Sequence, residues 1–533
     1  MKKLSAPVIK RLRLEDAVIA EAASRRRLLP DEPNWDRIED HAGDIAKYLA
    51  NQLQAGFHPV PQVELAARKP AHGVRPVPYW GILERIAYRA LTTAALKGMD
   101  PPDRTPQAYL EFVTAPGRYA RDRQSESSSA VSNFLFLSDT PVKYVVKSDL
   151  TAFYQFIDHS VLAEELLLRG VDFELISALM ELLAEVQGHN YGLPQLFDAS
   201  DWLSDLYADR IERDLLRSGF IVWRFNDDFR IACDTYADAL RAIEALDAAA
   251  RRVGLVLSEN KTVTVGITKY IFDTFGLAAS GATEEVNVDN VEDILGDYTD
   301  DFGEEHADDA FALIQAAQVS VIDDTELSDR RQINLNNISG EDVRILRRAI
   351  NGLAVATDTR AINDVVRLAI YAPSLTPNLM QYLRRVGKQL NPEDDAWNNL
   401  VTTVDRLANE VSLNAWQYLW LVDVVHDLGL LSAQLADKEG VLRRAKWVDD
   451  LRKDNSNEAL RAVATRALAS QGHVQVTSVI DAADRASDAL LHIYASAGTE
   501  CVDKLVGTDK KDAQRAIDAW AKTSKLHAFL LRA

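Results

Sequence analysis

Cysteine is nearly missing from this chain: 533 residues hold two, Cys233 and Cys501. That excludes a disulfide framework and a cysteine-built zinc site, and it suits a reducing cytoplasm. Long apolar runs are missing too. The most hydrophobic helical stretch, Trp416 to Leu431, carries Asp423, His426 and Asp427, so it is not a membrane span. No apolar core follows Met1-Lys2-Lys3, so no secretory signal is expected, and a cytoplasmic chain without a membrane partner is. Positive charge is in deficit: 60 basic side chains face 80 acidic ones, a net of −20, which excludes nucleic-acid binding over the whole surface. The deficit is uneven. Residues 1–100 hold 16 basic against 12 acidic side chains, a net of +4, and leave −24 to the rest. A locally basic channel inside an acidic shell fits that distribution, as does ordinary variation between domains.

At this length and 47% hydrophobic residues the chain can bury large cores in two or three domains. The most informative stretch is Phe225-Asn226-Asp227-Asp228. Phe220-Ile221-Val222-Trp223 precedes it and Phe229-Arg230-Ile231-Ala232 follows, which reads as strand, tight turn and strand with the acids at the tip. Asn and Asp are also ordinary turn residues. Adjacent like charges are costly unless solvent or a cation compensates them, and a divalent metal is the usual functional reason to hold two carboxylates on a rigid hairpin.

Three further segments bear on that choice. Upstream, the β-branched run Tyr144-Val145-Val146-Lys147-Ser148-Asp149 ends in an acid and is followed by Leu150-Thr151-Ala152-Phe153-Tyr154. Gly192-Leu193-Pro194-Gln195 comes next, ahead of a helical pattern through Leu203, Leu206 and Tyr207. Downstream lies Gly254-Leu255-Val256-Leu257-Ser258-Glu259-Asn260-Lys261. In this order, with 78 residues from Asp149 to Asp227, the four segments resemble motifs A to D of the reverse transcriptase palm, over roughly residues 60–276.

The resemblance implies metal-dependent transfer of deoxynucleotides. It makes Asp149 and Asp227 the main ligands of magnesium or manganese, with Asp228 beside them and the Leu150 carbonyl as a backbone ligand. Tyr154 takes the steric-gate position that excludes a 2′-hydroxyl, next to Phe153; a purely core aromatic is the other reading. Gln195 and Phe225 fall near the incoming nucleotide. Lys261 becomes a proton donor or a charge partner for pyrophosphate, or else a solvated lysine. Gly73-Val74-Arg75-Pro76 and the helix around Arg85 are similar to the family's fingers, so Arg75 and Arg85 are phosphate contacts or plain surface arginines.

Two positions depart from the family pattern. Phe225 replaces a tyrosine, and Leu196 replaces the glycine after the motif B glutamine. Leu196-Phe197-Asp198 is expected to put bulk where a template strand passes, hence a short or specialised product. The other readings are a retron or retroelement enzyme copying a partner RNA, and a non-catalytic palm kept as a scaffold.

Four parts are expected. Residues 1–125 form N-terminal helices and fingers, with helical spacing from Trp35 to Leu53. The palm covers 126–276, including a helix from Tyr236 to Val253. Residues 277–309 are an acidic linker or insertion. Residues 310–533 are all helical: Ile362, Val365, Val366, Ala369 and Ile370 make one stripe, and Leu460, Val463, Ala464, Ala467 and Leu468 another. Helices recur every 17–20 residues, so pairs recur near the period of HEAT-type repeats. The fold class is α+β: a right-hand polymerase palm and fingers, then an all-α HEAT-like domain. A palm followed by such a domain resembles the bacterial abortive-infection and defence-associated (AbiA- and AbiK-like) reverse transcriptases. That implies antiphage defence, a homo-oligomer, dNTPs and a non-coding or template RNA as partners, a DNA product, and a second defence protein in some systems. His426, His473, His492 and His527 are scattered and read as core or surface residues, not as a metal set.

Overall fold

The computed structural model describes residues 1–24, 28–33, 35–70, 73–123, 140–275, 307–318 and 333–532. Most of the acidic stretch 277–309 lies outside the described residues. The chain separates into two compact units: Met1–Leu12 with Tyr88–Asp300, and Arg13–Ala87 with Asp301–Ala533.

The first unit is built on four antiparallel strands: β3 (Tyr144–Asp149), β4 (Ile221–Phe225), β5 (Asp228–Cys233) and β6 (Val263–Gly266), in the spatial order β4-β5-β3-β6. Strands β3, β4 and β6 are rich in β-branched or aromatic residues, and β5 contributes Phe229 and Ile231, which suits a pleated, half-buried surface. Side chains alternate between faces. On one face Val145, Ala232 and Val265 pack with Ala120, Ile267, Tyr270 and Ile271 from helices Pro106–Asp122 and Ile267–Phe275. Val146 and Ile231, one residue on, are also fully buried. The helix Tyr236–Arg252 packs on β3 and β5 and in turn meets the 20-residue helix Asp198–Arg217. A Thr235–Asp238 capping box starts Tyr236–Arg252 and satisfies N–H groups that a helix start leaves unpaired.

The second unit joins the N-terminal helices Leu14–Ala22 and Ala42–Ala55, a hairpin of β1 (Val63–Arg68) and β2 (Val74–Tyr79), and the helices from Ala307 onward. Trp35–His41 is a 3-10 turn leading into Ala42–Ala55. The hairpin does not stand alone. It packs on helices Ala415–Asp427 and Glu458–Ala469, and Asn414 and Asn457 donate to the Ala66 and Glu64 carbonyls at 2.9 and 3.0 Å. Beyond residue 340 alternate helices pack in series: Gly340–Val355, Thr376–Gly387, Ala415–Asp427, Glu458–Ala469, Leu491–Asp503 and Lys525–Arg532. Of the expected stripes, Val365, Val366 and Ala369 are buried on helix Asp364–Tyr371, while Ile362 precedes that helix and Ile370 is exposed; on Glu458–Ala469 Leu460, Ala464, Ala467 and Leu468 are buried and Val463 is half-buried. No helix among the described residues is long and apolar enough to cross a membrane.

Candidate metal centre

The β4–β5 hairpin turns through two residues, since Phe225 pairs with Asp228 across the strands. A turn this tight needs a left-handed residue, and Asn226 supplies it at φ 56°, a conformation that asparagine tolerates. Asp227 completes the turn and Asp228 opens β5. The neighbouring strand β3 ends at Asp149, opposite Asp228 in the register. The Leu150 N–H donates to the Asp227 carbonyl at 3.1 Å and locks the turn to the end of β3. One carboxylate oxygen each from Asp149, Asp227 and Asp228 lies within 4.8 Å of the others. Among the described residues this is the only group of three or more His, Cys, Asp or Glu side chains that could share an ion.

The electrostatics are those of a cluster short of positive charge. Burial pushes the Asp227 carboxyl up to about 7, and the charges of Asp149 and Asp228 add to it. Asp149 is also raised, by burial first, with Lys261 opposing and Asp228 reinforcing. Two cations flank the group. Lys261 Nζ is 3.1 Å from Asp149 Oδ1. Burial pulls this ammonium down, but the carboxylates, Asp149 foremost, outweigh it and hold it above its ordinary value. Arg230 Nη1 is 3.6 Å from Asp228 Oδ1, and its guanidinium lies 4.9 Å from the Phe112 ring centre. Hard carboxylate oxygens at this spacing suit magnesium or manganese. The donor set therefore fits a divalent cation held by Asp149, Asp227 and Asp228.

Lys261 reaches this place through the backbone. Ser258 N–H donates to the Asp149 carbonyl at 2.7 Å, and the 3-10 turn Glu259–Lys261 follows. Gln195 sits on a loop laid against the Tyr154 segment. Gly192 N–H donates to the Ile157 carbonyl and Leu193 N–H to the Tyr154 carbonyl, both at 2.7 Å. Gly192 is required there: at φ 82° a Cβ would stand 3.0 Å from the Gln155 carbonyl oxygen.

Several expected residues are placed differently. Phe153 is 2% exposed, so its ring has no open face for a nucleotide. Phe225 packs in an aromatic cluster with Tyr109 and Phe112, with ring centres 5.2 and 5.9 Å away. Phe197 does not stand in a template path, because its side chain is buried against Tyr88, 6.1 Å between ring centres. Leu196 takes φ 69°, the left-handed backbone that the family's glycine would favour. Arg85 is neither a surface residue nor free for phosphate. It is 1% exposed, with Nε 2.6 Å from Glu21 and Nη1 2.9 Å from Glu32, and it lies over the Trp35 ring. Arg75 lies half-buried on β2, opposite Ala67, in the second unit. The four histidines have other partners: His426 meets Glu500, His473 the Leu431 carbonyl, His492 Glu32, and His527 stacks on Trp520.

Sequence reasoning missed a second set of residues beside the acids. The Tyr154 hydroxyl donates to Asp201 Oδ1 at 2.5 Å and stands 3.5 Å from Asn226 Oδ1. Arg104 Nη2 donates to that same Asn226 oxygen at 3.2 Å. Burial pushes the Asp201 carboxyl up to about 6, with the Tyr154 hydroxyl and Arg104 opposing. Arg224, nearly buried, grips the hairpin from behind: it pairs with Asp205 at 2.8 Å and Glu212 at 3.0 Å, and donates to the Asn226 carbonyl at 3.2 Å. Asn226 was legible as the neighbour of the paired acids. Asp201 and Arg104 carry no sequence signal, because each acquires its place only through the folded chain.

Comparison with known proteins agrees with this geometry. Residues 68–286 match the family model of reverse transcriptase (RNA-dependent DNA polymerase), so a reverse transcriptase domain is present in this part of the chain. No curated protein matches the sequence. Among solved structures, the chain is similar to telomerase from Candida tropicalis in complex with the TWJ fragment of telomeric RNA: 10% identity, TM-score 0.29, 78% of this chain and 70% of that one. For telomerase from Candida albicans in complex with the same kind of fragment the values are 12%, 0.24, 76% and 64%, so the chain spans less than two thirds of that relative. At these scores the likeness adds nothing to the palm read from the strands.

Proposed function

We propose that this chain is a metal-dependent DNA polymerase of the reverse transcriptase type, joining deoxynucleotides to a 3′-hydroxyl. The observation that carries the reading is the convergence of Asp149, Asp227 and Asp228 within 4.8 Å, inside residues that match the reverse transcriptase family. Asp149 and Asp227 would hold magnesium or manganese, with Asp228 shared with Arg230 and the Leu150 carbonyl as a backbone ligand. When bound, such ions align the hydroxyl with the triphosphate and neutralise charge on the transferring phosphoryl group. The chain's own residues supply the rest. The locked two-residue turn holds the acids in place before substrate arrives, which is where pre-organised sites gain their rate. Lys261 pairs with Asp149 and would serve as a proton donor or charge partner for departing pyrophosphate. Tyr154 offers a ring to the sugar, and Gln195 lies on the loop beside it.

The test is incorporation of labelled dNTPs by purified protein, with magnesium or manganese and with EDTA, on primed RNA and without nucleic acid. Metal-dependent incorporation is expected. None under any condition, from folded protein, would leave the palm as a scaffold.

The finer reading is a defence enzyme. It is supported by the order of a reverse transcriptase domain followed by a long helical region, and the serial packing of alternate helices supports a HEAT-type array within it. We propose that this region assembles the chain into an oligomer, which light scattering would reveal. With Phe197 buried, the expectation of a short or specialised product rests on Leu196, the exposed Asp198 and the acidic charge outside residues 1–100. Phage plating on cells expressing the chain separates defence from the retroelement alternative. Plaque reduction that needs Asp227 and Asp228 supports defence, whereas a single co-purifying RNA copied into DNA, without protection, supports the alternative.

A further inference from the structure

The Tyr154 hydroxyl is tethered on one side and has an amide neighbour on the other. The residue lies in the 3-10 turn Phe153–Gln155, entered through Ala152 at φ 50°. Its single O–H donates to Asp201 Oδ1 at 2.5 Å, a short charge-assisted bond from the first turn of helix Asp198–Arg217. On the hairpin side the Asn226 amide oxygen is 3.5 Å from the hydroxyl, at the outer limit of contact. Arg104 fixes that amide at 3.2 Å, and Arg224 fixes the Asn226 carbonyl at 3.2 Å. Asp201 and Arg104 also line a cavity of 370 Å³ with Arg89, Asp198 and Trp202. The tether therefore borders open space, where packing alone sets a side chain poorly.

A ring that excludes a 2′-hydroxyl by bulk needs only to be a ring, and phenylalanine would serve. A ring held by its hydroxyl is different. Discrimination by one oxygen atom requires placement to within about 0.5 Å, and that placement depends on what locks the rotamer. We propose that Asp201 is a positioning residue for sugar selection: it holds the Tyr154 ring by its hydroxyl, so rejection of ribonucleotides in this chain depends on the Tyr154–Asp201 bond and not on ring bulk alone. Asn226, held by Arg104, lies beside that hydroxyl on the turn that carries Asp227, so the sugar-facing ring and the metal ligands are neighbours in one site. The proposal rests on the polymerase reading and deepens it.

The experiment compares dATP with ATP incorporation in the wild type, Tyr154→Phe, Asp201→Ala, Asp201→Asn and the Tyr154→Phe/Asp201→Ala pair, with melting curves for each. Loss of a hydrogen bond to a charged partner is expected to lower the dATP-to-ATP preference on the order of tenfold in Tyr154→Phe and in Asp201→Ala. The double variant should be no worse than either single one, because both remove the same bond. Asp201→Asn keeps an acceptor oxygen and should restore the preference, which a merely structural loss would not allow. If Asp201→Ala fails to fold, Tyr154→Phe carries the comparison. An unchanged preference in Tyr154→Phe overturns the proposal. If the wild type incorporates nothing, the polymerase reading fails separately, and calorimetric binding of dATP against ATP by the same proteins decides the inference. A wild type that does not discriminate in either assay also overturns it.

Discussion

Asp149 and Asp228 face each other across the β3–β5 ladder, the last pair of an antiparallel register that runs back to Tyr144 and Cys233. Like charges directly opposite on one face of a sheet are destabilising. Asp227, one residue away in the turn, adds a third carboxylate. A fold that builds this arrangement on the two inner strands of its sheet carries a local electrostatic cost that a divalent cation relieves.

That cost has a pH signature. The Asp227 carboxyl is raised from 3.8 to about 7 in the folded chain. Between those values the folded protein binds a proton that the unfolded chain has released, so stability without a divalent ion falls as pH rises through this window. A metal competes with the same proton, so its affinity rises with pH up to about 7. Melting curves with and without manganese at pH 5.5 and pH 8 check both signs. The stabilisation by manganese should be larger at pH 8, and Asp227→Asn should abolish the difference. Equal shifts at the two pH values would contradict the assignment.

Arg85 makes a different prediction. Its guanidinium is enclosed with Glu21, Glu32 and Trp35, and Glu32 also meets His492 at 3.0 Å. Removing one member of a buried ionic network leaves its partners as uncompensated charge, which costs about 3–5 kcal/mol. Arg85→Ala should therefore lower the unfolding free energy from denaturant titration by about that amount, and Arg85→Lys should recover only part, since one ammonium cannot serve two carboxylates in the fork geometry. A variant as stable as the wild type but weaker in nucleotide binding would return Arg85 to the phosphate role.

The backbone at Leu196 can be tested directly. A side chain at φ 69° is strained, and a β-branched one more so. Leu196→Gly should stay within about 1 kcal/mol of the wild type, because relief of strain offsets lost contact and chain entropy. Leu196→Val should lose about 1–3 kcal/mol. Equal stability of the two variants would show that the turn is not strained.

Much of this centre was legible in the sequence because its signals are local. The run ending at Asp149 is strand Tyr144–Asp149, the paired acids do sit at the hairpin tip, Asp227 in the two-residue turn and Asp228 at the start of β5, and the helix expected from Tyr236 runs to Arg252. Asp149, Asp227 and Asp228 converge through strand register, which the order of the motifs implies, and Lys261 joins them through the turn that follows Ser258. What escaped was long-range pairing. Arg85 looks like a surface arginine between apolar positions, and only carboxylates 64 and 53 residues upstream bury it. Phe197 lies two residues after a loop glutamine, and nothing local says that it turns inward to Tyr88. The β1–β2 hairpin reads as part of the fingers, yet its contacts include helices more than 300 residues later. Periodicity shows which face of an element is apolar, not which distant element will cover it.

The most direct test of the metal centre compares the wild type with the paired variant Asp227→Asn/Asp228→Asn in one incorporation assay, with magnesium or manganese and labelled dNTPs. Both substitutions keep side-chain volume and remove negative charge, so the fold should hold and the melting temperature without metal should stay level or rise. The expected result is metal-dependent incorporation by the wild type and at least a thousandfold loss, on the order of 4 kcal/mol in the barrier, in the folded variant. Incorporation by the variant at a rate near that of the wild type would contradict the placement of the active site.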